Sequence, residues 1–343
     1  MRGDEMKNRR RLTICIIAFS LLLFSFSGVF AQAEEADFAY LGGAPIGIGL
    51  AEKGLIVTGI VDVITDEGAA CPARGSEIST NDVITAINGE EINDMKDFAT
   101  KLQSSEGAVT LRVKRGESDL VVTITPVTDS LTGLKKLGIT VKNGINGIGT
   151  LTFILPNGHF GALGHGILDA DTGKIFKTDQ GSVYSCVITG VRKPLKGSAG
   201  ELIGRFGDRS NPIGKILRCN VYGVYGLADE GMDAAKIKVP LGSKSDVKLG
   251  KAYIFSTIEG TSPKKYEIEI VKAQTQNAPA EKSMLIKVTD ETLLAATGGI
   301  LQGMSGSPIV QNDRLIGAVT HVLLNDSTLG YGLYIDWMLR NAA

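Results

Sequence analysis

Glycine interrupts the C-terminal two thirds of this 343-residue sequence every few residues. The segments between the glycines are short and rich in β-branched residues, and no long amphipathic helix is predicted among them. Short strands with frequent turns are typical of β-barrels and β-sandwiches. A content of 43% apolar residues with 43 glycines fits a globular protein that is mostly β. Beyond residue 129, strands are predicted at Ile148–Leu155, Val183–Val191, Tyr253–Ile258, Tyr266–Val271 and Met284–Val288, and the only convincing helix around Ile335–Arg340.

The N-terminus has the pattern of a secretory signal. Lys7 and Arg9–Arg11 precede an apolar run, Leu12–Phe30, which ends at Ala31–Ala33. A positive segment, an apolar core and an A-x-A site direct export, and a run of this length can also remain as a membrane anchor. Residues 1–33 are therefore predicted to be a signal peptide or a signal anchor.

Charge and cysteine content narrow the classes of function. The formal net charge of −1, with both signs mixed, gives no basic stripe, so nucleic acid is not an expected partner. Cys15 lies in the leader, and Cys71, Cys186 and Cys219 have no metal-ligand spacing. An odd number of cysteines outside the cytoplasm permits one disulfide at most, and buried thiols are favoured. Neither a metal nor another cofactor is expected.

Residues 37–128 have the pattern of one small domain. Asn88-Gly89 stands between apolar runs and predicts a two-residue hairpin. Asp94 is a good N-cap for a helix that carries Phe98 and Leu102 on one face. Alternating strands follow this helix and complete the domain.

This segment resembles a PDZ domain. Such domains add an extended peptide to a sheet edge and often bind its C-terminal carboxylate with backbone N–H groups. The resemblance implies that the carboxylate loop is Pro45–Leu50, and Asn81-Asp82 departs from the usual Gly-Asp pair before the central strand. Gly133–Leu137 is interpreted as a linker and residues 129–343 as a second domain. The implied peptide-binding residues are Ile46, Gly47, Ile48, Gly49 and Leu50.

A serine lies among glycines in Gly303–Pro308, near the C-terminus. The segment Ile309–Val319 follows it and predicts a β-hairpin. Glycines beside the serine permit positive φ and leave N–H groups free to point at one position, as an oxyanion hole requires. An isolated G-x-S-G is more often a plain loop between strands, so this turn alone does not establish catalysis.

A nucleophilic serine needs a base, and histidine serves best near neutral pH. The chain has three histidines. His165 lies in the glycine-rich segment Gly158–Gly166 at a predicted strand end, where it can reach a partner side chain. His321 is embedded in an apolar strand and is predicted to be structural, whereas His159 follows a turn and is predicted to be exposed. His165 is therefore the predicted base.

The order of these residues, with the histidine first and the serine late, resembles the chymotrypsin-like double β-barrel. The turn Gly303–Pro308 and the hairpin after it also resemble trypsin-like proteases. Spacing favours Ser305 over Ser307 as the nucleophile, with the N–H groups of Gly303 and Ser305 as oxyanion donors. Met304 replaces the acid that pairs with a freed N-terminus in the trypsin group, so activation of that kind is not expected.

A closer resemblance covers almost the whole chain. The PDZ-like segment is followed by GALGHGILD at 161–169, GGILQGMSGSPIV at 298–310 and IGAVTHVLLNDSTLGYGLYIDWML at 316–339. By these motifs the chain is similar to the SpoIVB-type serine endopeptidases, the stage IV sporulation protein B family. The resemblance implies a self-cleaving enzyme that is exported from the forespore into the space between its two membranes. Its implied partners are its own N-terminal region and a membrane-bound regulator of the intramembrane protease that activates the late mother-cell sigma factor.

The third member of the triad is the least determined. The resemblance places the acid shortly before the serine, which corresponds to Asp290. Asp169, four residues after His165, is the alternative, although it could equally close a turn. The acid would orient the imidazole and stabilise its cation. Two other functions stay open at this level: a catalytically inactive, membrane-tethered PDZ adaptor and a structural protein of the cell envelope.

Overall fold

The computed structural model describes residues 37–116, 118–169, 173, 175–176, 178–195, 197–232 and 237–342. The predicted signal segment, residues 1–33, and Cys15 lie outside these ranges. Within them, no helix has both the length and the apolar character needed to span a membrane.

Strands dominate the described chain, as the sequence predicts. In order they are β1 (Phe38–Leu41), β2 (Pro45–Ile60), β3 (Val63–Thr65), β4 (Gly68–Ala70), β5 (Val83–Ile87), β6 (Glu90–Glu91), β7 (Val109–Arg115), β8 (Ser118–Ile124), β9 (Val127–Thr128), β10 (Lys135–Lys136), β11 (Ile139–Ile154), β12 (His159–Ala162), β13 (Ile167–Leu168), β14 (Ile175–Phe176), β15 (Gly181–Arg192), β16 (Glu201–Phe206), β17 (Gly214–Asn220), β18 (Gly223–Ala228), β19 (Lys238–Pro240), β20 (Gly250–Ser256), β21 (Lys264–Ala273), β22 (Met284–Val288), β23 (Pro308–Gln311), β24 (Arg314–Leu323) and β25 (Asp326–Tyr334). The helices are α1 (Met95–Ser104), α2 (Glu291–Thr297) and α3 (Ile335–Ala342), with a 3-10 turn at Pro72–Gly75.

Six antiparallel strands close into a first β-barrel. Around the ring, β2 pairs with β11, β11 with β12, β12 with β18, β18 with β17, β17 with β15, and β15 with β2 again. Because side chains alternate along a strand, Ile46, Ile48 and Leu50 of β2 all enter one apolar core, where Phe160 and Val224 also lie.

A second closed barrel follows in the order β20, β21, β22, β25, β24, β23. Its interior is apolar, and Ile254, Ile268 and Ile286 are fully buried. The terminal helix α3 buries Trp337, whose indole N–H donates to the Gln276 side chain at 2.9 Å. The two barrels confirm the predicted mostly-β, chymotrypsin-like double-barrel architecture.

The PDZ domain has its own sheet and core. The second half of β2 pairs with β5, β5 with β7, and β7 with β8, and α1 contributes Phe98 and Leu102 to the core. Asp94 caps α1 as predicted, since its carboxylate accepts the Asp97 N–H at 2.8 Å. Asn81, which stands where glycine is usual, has a φ of 79°. Asparagine tolerates this left-handed conformation better than most residues, so the turn keeps its geometry.

The domain boundaries differ from the prediction, because β2 and β11 run through both domains. Leu55–Ile60 and Ile139–Lys142 belong to the PDZ sheet, whereas Pro45–Leu50 pairs with the Ile145–Thr150 part of β11 in the first barrel. The PDZ domain is therefore inserted between two strands of a peptidase barrel. Strands within residues 37–50, which the prediction includes in the PDZ domain, pair with strands of the peptidase barrel.

The same pairing contradicts the predicted carboxylate loop. Pro45–Leu50 is a strand whose two edges are hydrogen-bonded to β11 and β15. Its main-chain N–H groups are used in the barrel and are not available to a peptide carboxylate. The prediction is wrong for all five residues of that loop, Ile46, Gly47, Ile48, Gly49 and Leu50. The interpreted linker also differs, because Leu137 is buried in the PDZ core.

Candidate active site

The serine turn is held against the first barrel by strand β11. The Thr150 hydroxyl donates to the Gly303 carbonyl at 2.8 Å, and the Thr150 N–H donates to the Ser305 carbonyl at 3.0 Å. The Thr152 hydroxyl donates to the Gly306 carbonyl at 2.7 Å. Three carbonyls of the turn are thus fixed toward β11, which restrains the turn across the interface of the two barrels.

Glycine is required at the closest point of this contact. Gly306 has a φ of 96°, and a Cβ there would lie 2.1 Å from the Thr150 carbonyl oxygen and 2.5 Å from the Leu163 nitrogen. Backbone atoms cannot move aside as a flexible side chain can, so another residue at 306 would separate the barrels. Gly303 also has positive φ, at 95°, which side chains disfavour.

Two N–H groups of the turn are left free. The N–H groups of Met304 and Ser307 donate to carbonyl groups three residues earlier, and that of Gly306 donates to the Val319 carbonyl. Within the described part of the chain, the N–H groups of Gly303 and Ser305 donate to no acceptor, and both residues line one cavity. Free N–H groups beside a nucleophile can stabilise a developing oxyanion, and these are the two that spacing favours for that role.

The two serines of the turn have different environments. Ser305 lines the cavity, and its hydroxyl donates to the Thr320 carbonyl at 2.7 Å. Ser307 is fully buried, and its Oγ has no hydrogen-bond partner. Met304, in the same turn, is also fully buried. Only Ser305 can meet a substrate.

His165 follows β12 in a turn of unusual backbone geometry. Leu163 and Gly164 have φ values of 69° and 73°, and the chain then presents His165 to the cavity. Its Nδ1 lies 2.7 Å from the Gly166 carbonyl oxygen. Because a carbonyl can only accept, Nδ1 carries the proton and Nε2 keeps its lone pair. Burial lowers the pKa of His165, although the Gly166 carbonyl and Glu281 act in the opposite direction.

His321 lines the same cavity beside His165. The ring centroids are 4.7 Å apart, and His321 Nδ1 is buried without a partner. Burial lowers the pKa of His321 to about 4, with further lowering from His165 and Lys282. His321 therefore belongs to the site and not only to the strand, which its apolar neighbours in the sequence did not indicate. His159 is half-buried and lies outside this cavity.

The cavity is large and mostly apolar. Its volume is about 870 Å³, in the range of ligand-binding clefts. Lys142 and Asp169 form its charged pair, with Lys142 Nζ 2.7 Å from Asp169 Oδ1 and Asp169 only 2% exposed. Leu163, Leu301 and Leu324 are among its apolar walls.

The structure does not bring Asp290 to this cavity. Asp290 is the N-cap of α2: Oδ1 accepts the Leu293 N–H at 2.9 Å, and Oδ2 accepts the Glu267 N–H at 3.3 Å. The structure contradicts its predicted role as the acid that orients the imidazole, because one oxygen caps α2, the other binds Glu267 of β21, and neither lines the cavity. That helix was not predicted from the sequence. Asp169, the alternative, does line the cavity but pairs with Lys142.

The described residues contain no group of three or more His, Cys, Asp or Glu side chains placed to hold a metal ion. Cys71, Cys186 and Cys219 are all free, and the last two are buried.

The sequence model of the SpoIVB peptidase S55 family matches residues 133–339, which is more than half of the chain. The chain belongs to the SpoIVB peptidase S55 family. A PDZ domain model matches residues 45–125. The protein is thus a PDZ-containing serine endopeptidase of the SpoIVB type. A search of curated proteins found no match.

Two solved proteins are similar to parts of this S55 peptidase. The PDZ domain of the SdrC-like protein from Listeria monocytogenes is 21% identical to this chain. The match covers 27% of this chain and 90% of the Listeria chain, with a TM-score of 0.22. The Rv3671c protease from M. tuberculosis in its active form is 14% identical to this chain. The match covers 58% of this chain and 73% of the protease chain, with a TM-score of 0.35. The inactive form of the same protease is 13% identical. That match covers 57% of this chain and 82% of the protease chain, with a TM-score of 0.33.

Proposed function

We propose that this endopeptidase acts in sporulation signalling, with Ser305 as the nucleophile and His165 as the base. The observation that carries the catalytic proposal is that Ser305, His165 and the two free N–H groups of Gly303 and Ser305 line one cavity. The sporulation role is supported by the SpoIVB family match. The substrates proposed are the protein's own N-terminal region and a membrane-bound regulator of an intramembrane protease.

The proposed chemistry is acyl transfer. Rotation of the Ser305 hydroxyl away from the Thr320 carbonyl frees Oγ to attack a peptide carbonyl carbon. The proton of Oγ passes to Nε2 of His165, and the Gly303 and Ser305 N–H groups bind the oxyanion. His165 then returns the proton to the leaving amine as the peptide C–N bond breaks. Water, deprotonated by the same nitrogen, hydrolyses the acyl-enzyme and restores Ser305.

The Gly166 carbonyl supports this role for His165. A triad acid normally accepts the Nδ1 proton and so fixes the tautomer in which Nε2 is the base. The Gly166 oxygen accepts the same proton at 2.7 Å. A neutral carbonyl stabilises the imidazolium less than a carboxylate does, so a low intrinsic rate is expected from this arrangement.

Export from the forespore and a location between its two membranes are part of the proposal, and the predicted leader at residues 1–33 supports them. The PDZ domain is proposed to recognise the regulator. Because Pro45–Leu50 is paired on both edges, that recognition would use another part of the PDZ surface.

A fluorophosphonate probe tests the catalytic proposal directly. We expect covalent labelling of the wild-type protein, loss of labelling by several orders of magnitude in Ser305→Ala, and retained labelling in the matched control Ser307→Ala. Loss in His165→Ala with labelling retained in His321→Ala would support the base. Wild-type protein that is folded but not labelled would contradict the catalytic proposal. In the spore-forming host, normal processing of the regulator with Ser305→Ala would contradict the signalling proposal.

A further inference from the structure

The segment that carries His165 is held to strand β11 on both sides of the histidine. Before it, the Leu163 N–H donates to the Thr150 carbonyl at 3.3 Å. After it, Asp169 Oδ1 accepts a hydrogen bond from Lys142 Nζ at 2.7 Å. Thr150 also binds the serine turn, so one strand sets the position of both the histidine segment and the serine turn.

The second of these anchors is an ion pair in the wall of the active-site cavity. Both side chains line the cavity, and that of Lys142 is 22% exposed whereas that of Asp169 is 2% exposed. A carboxylate so fully withdrawn from water is costly unless a positive charge compensates it. Lys142 supplies a positive charge at hydrogen-bond distance, and the ion pair therefore favours the conformation in which Asp169 stays in the wall.

Strand pairing restrains the part of the segment after His165 only over a short length. Among the described strands, β13 (Ile167–Leu168) pairs with β14 alone, over two residues. Ile167 packs against the core of the first barrel, whereas Leu168 is 63% exposed. Gly166, whose carbonyl accepts the Nδ1 proton of His165, lies only three residues before Asp169. Its position therefore depends on what holds Asp169.

The same ion pair joins the two domains. Lys142 is the last residue of β11 in the PDZ sheet, where it lies opposite Ile56, and the register shifts directly after it. Asp169 belongs to the peptidase domain, four residues after His165. The lysine thus connects a strand of the PDZ sheet to the segment that orients the imidazole.

We propose that Lys142 is a positioning residue for the base. Its ion pair with Asp169 fixes the Gly166 carbonyl against Nδ1 of His165 and so keeps Nε2 free to accept the serine proton. This role rests on the proposed catalytic role of His165. Lys142 acts through Asp169 and not on the reacting atoms: loss of its charge leaves the Asp169 carboxylate uncompensated, and the carboxylate then moves toward water and draws Gly166 with it.

The first test is Lys142→Met, which removes the charge and keeps the length of the side chain. We expect the rate of fluorophosphonate labelling to fall about tenfold, with labelling still complete at long times, since a shift of about 1 Å in a catalytic group can cost up to roughly a hundredfold. Lys142→Arg, which keeps the charge, should stay within about threefold of wild type. Arg115→Met is the matched control, because it breaks an ion pair with the 1% exposed Asp82 in the PDZ domain, away from the cavity. It should leave the rate unchanged.

The tautomer of His165 is a readout that a merely structural ion pair would not move. Long-range proton–nitrogen NMR spectra of protein with isotope-labelled histidine distinguish a protonated Nδ1 from a protonated Nε2, at a pH where the rings are neutral. Wild type and Arg115→Met should show His165 protonated at Nδ1, whereas Lys142→Met should show a mixture of both forms. Glutamine substitutions assign the signals of His159 and His321.

A double-mutant cycle shows whether Lys142 acts through Asp169. Asp169→Asn removes the charge of the partner, and the addition of Lys142→Met should then change the labelling rate by less than about twofold. Additive losses would overturn the proposal, and so would a folded Lys142→Met protein that is labelled as fast as Arg115→Met. Should Lys142→Met fail to fold, Asp169→Asn alone decides: slower labelling and a mixed tautomer support the proposal, and wild-type behaviour overturns it.

The two proposals fail in different ways. A folded wild-type protein that is not labelled would contradict the role of Ser305 and His165 in acyl transfer. The tautomer spectra need no catalysis, so they would still decide whether Lys142 fixes the Gly166 carbonyl. His165 protonated at Nδ1 alone in both wild type and Lys142→Met would overturn the positioning role.

Discussion

His165 and His321 lie ring against ring in the active-site cavity, with centroids 4.7 Å apart and planes inclined by 39°. Two imidazolium ions at this distance would repel each other, and burial lowers the pKa of both rings. Both are therefore neutral near pH 7. Because a base must be neutral to accept a proton, we expect the rate of fluorophosphonate labelling to stay level as the pH falls to 6.5 and to decline only below it. A decline that is complete above pH 6.5 would contradict this assignment.

Stability is expected to depend on pH through His321. Its pKa is about 4 in the folded protein and near the ordinary value of 6.5 when unfolded. The unfolded chain binds more protons between these values, so the free energy of unfolding falls as pH drops from about 6.5 to about 4 and levels off below. His321→Gln should make the loss of Tm over this window shallower, and His159→Gln, a change outside the cavity, is the control. Identical slopes in the wild type and His321→Gln would show that His321 is not buried neutral.

Asp290 offers a test of capping against catalysis. Its carboxylate accepts the Leu293 N–H, and alanine at an N-cap typically costs about 1 kcal/mol, whereas asparagine is as good a cap as aspartate. We expect Asp290→Ala to lower the free energy of unfolding by about that amount. Asp290→Asn can keep the bond from Leu293 and loses only the longer one from Glu267, so we expect a smaller loss of stability and labelling near wild type. Asp290→Asn with normal Tm but labelling reduced by orders of magnitude would restore this residue as the triad acid.

Thr152 should affect the serine turn without touching a substrate. Its buried hydroxyl donates to the Gly306 carbonyl at 2.7 Å. Thr152→Val keeps the shape but leaves that carbonyl without its donor, a cost of about 1–3 kcal/mol. Denaturant unfolding measures this loss, and Thr152→Ser, which keeps the hydroxyl, is the control. Equal stability of the valine and serine variants would show that the bond does not hold the turn.

Local patterns of the sequence predicted local structure well. Asn88-Gly89 forms the predicted turn with positive φ at both residues, Asp94 caps its helix, and Ile335–Ala342 is helical. Each of these depends on a few neighbouring residues. The failures are long-range: nothing local shows that Pro45–Leu50 pairs with β11 and β15, more than ninety residues away. Asp290 is predicted from the family resemblance, which places the acid shortly before the serine, although an aspartate is equally a helix N-cap signal.

The insertion of the PDZ domain leads to a prediction about which chain can fold. A chain of residues 129–343 lacks β1 and β2, and so the first barrel loses the strand that joins β11 to β15 and the buried side chains of Ile46, Ile48 and Leu50. We expect it to be unfolded by circular dichroism and unlabelled by fluorophosphonate. By contrast, residues 53–142 of the chain 37–343 can be replaced with Asn-Gly. Residue 51 already pairs with Gly144 in the neighbouring strand, and Asn-Gly forms a turn that joins antiparallel strands. This shortened chain should keep both barrels and the label. Labelling of the 129–343 chain would show that residues 37–50 are dispensable to the peptidase fold.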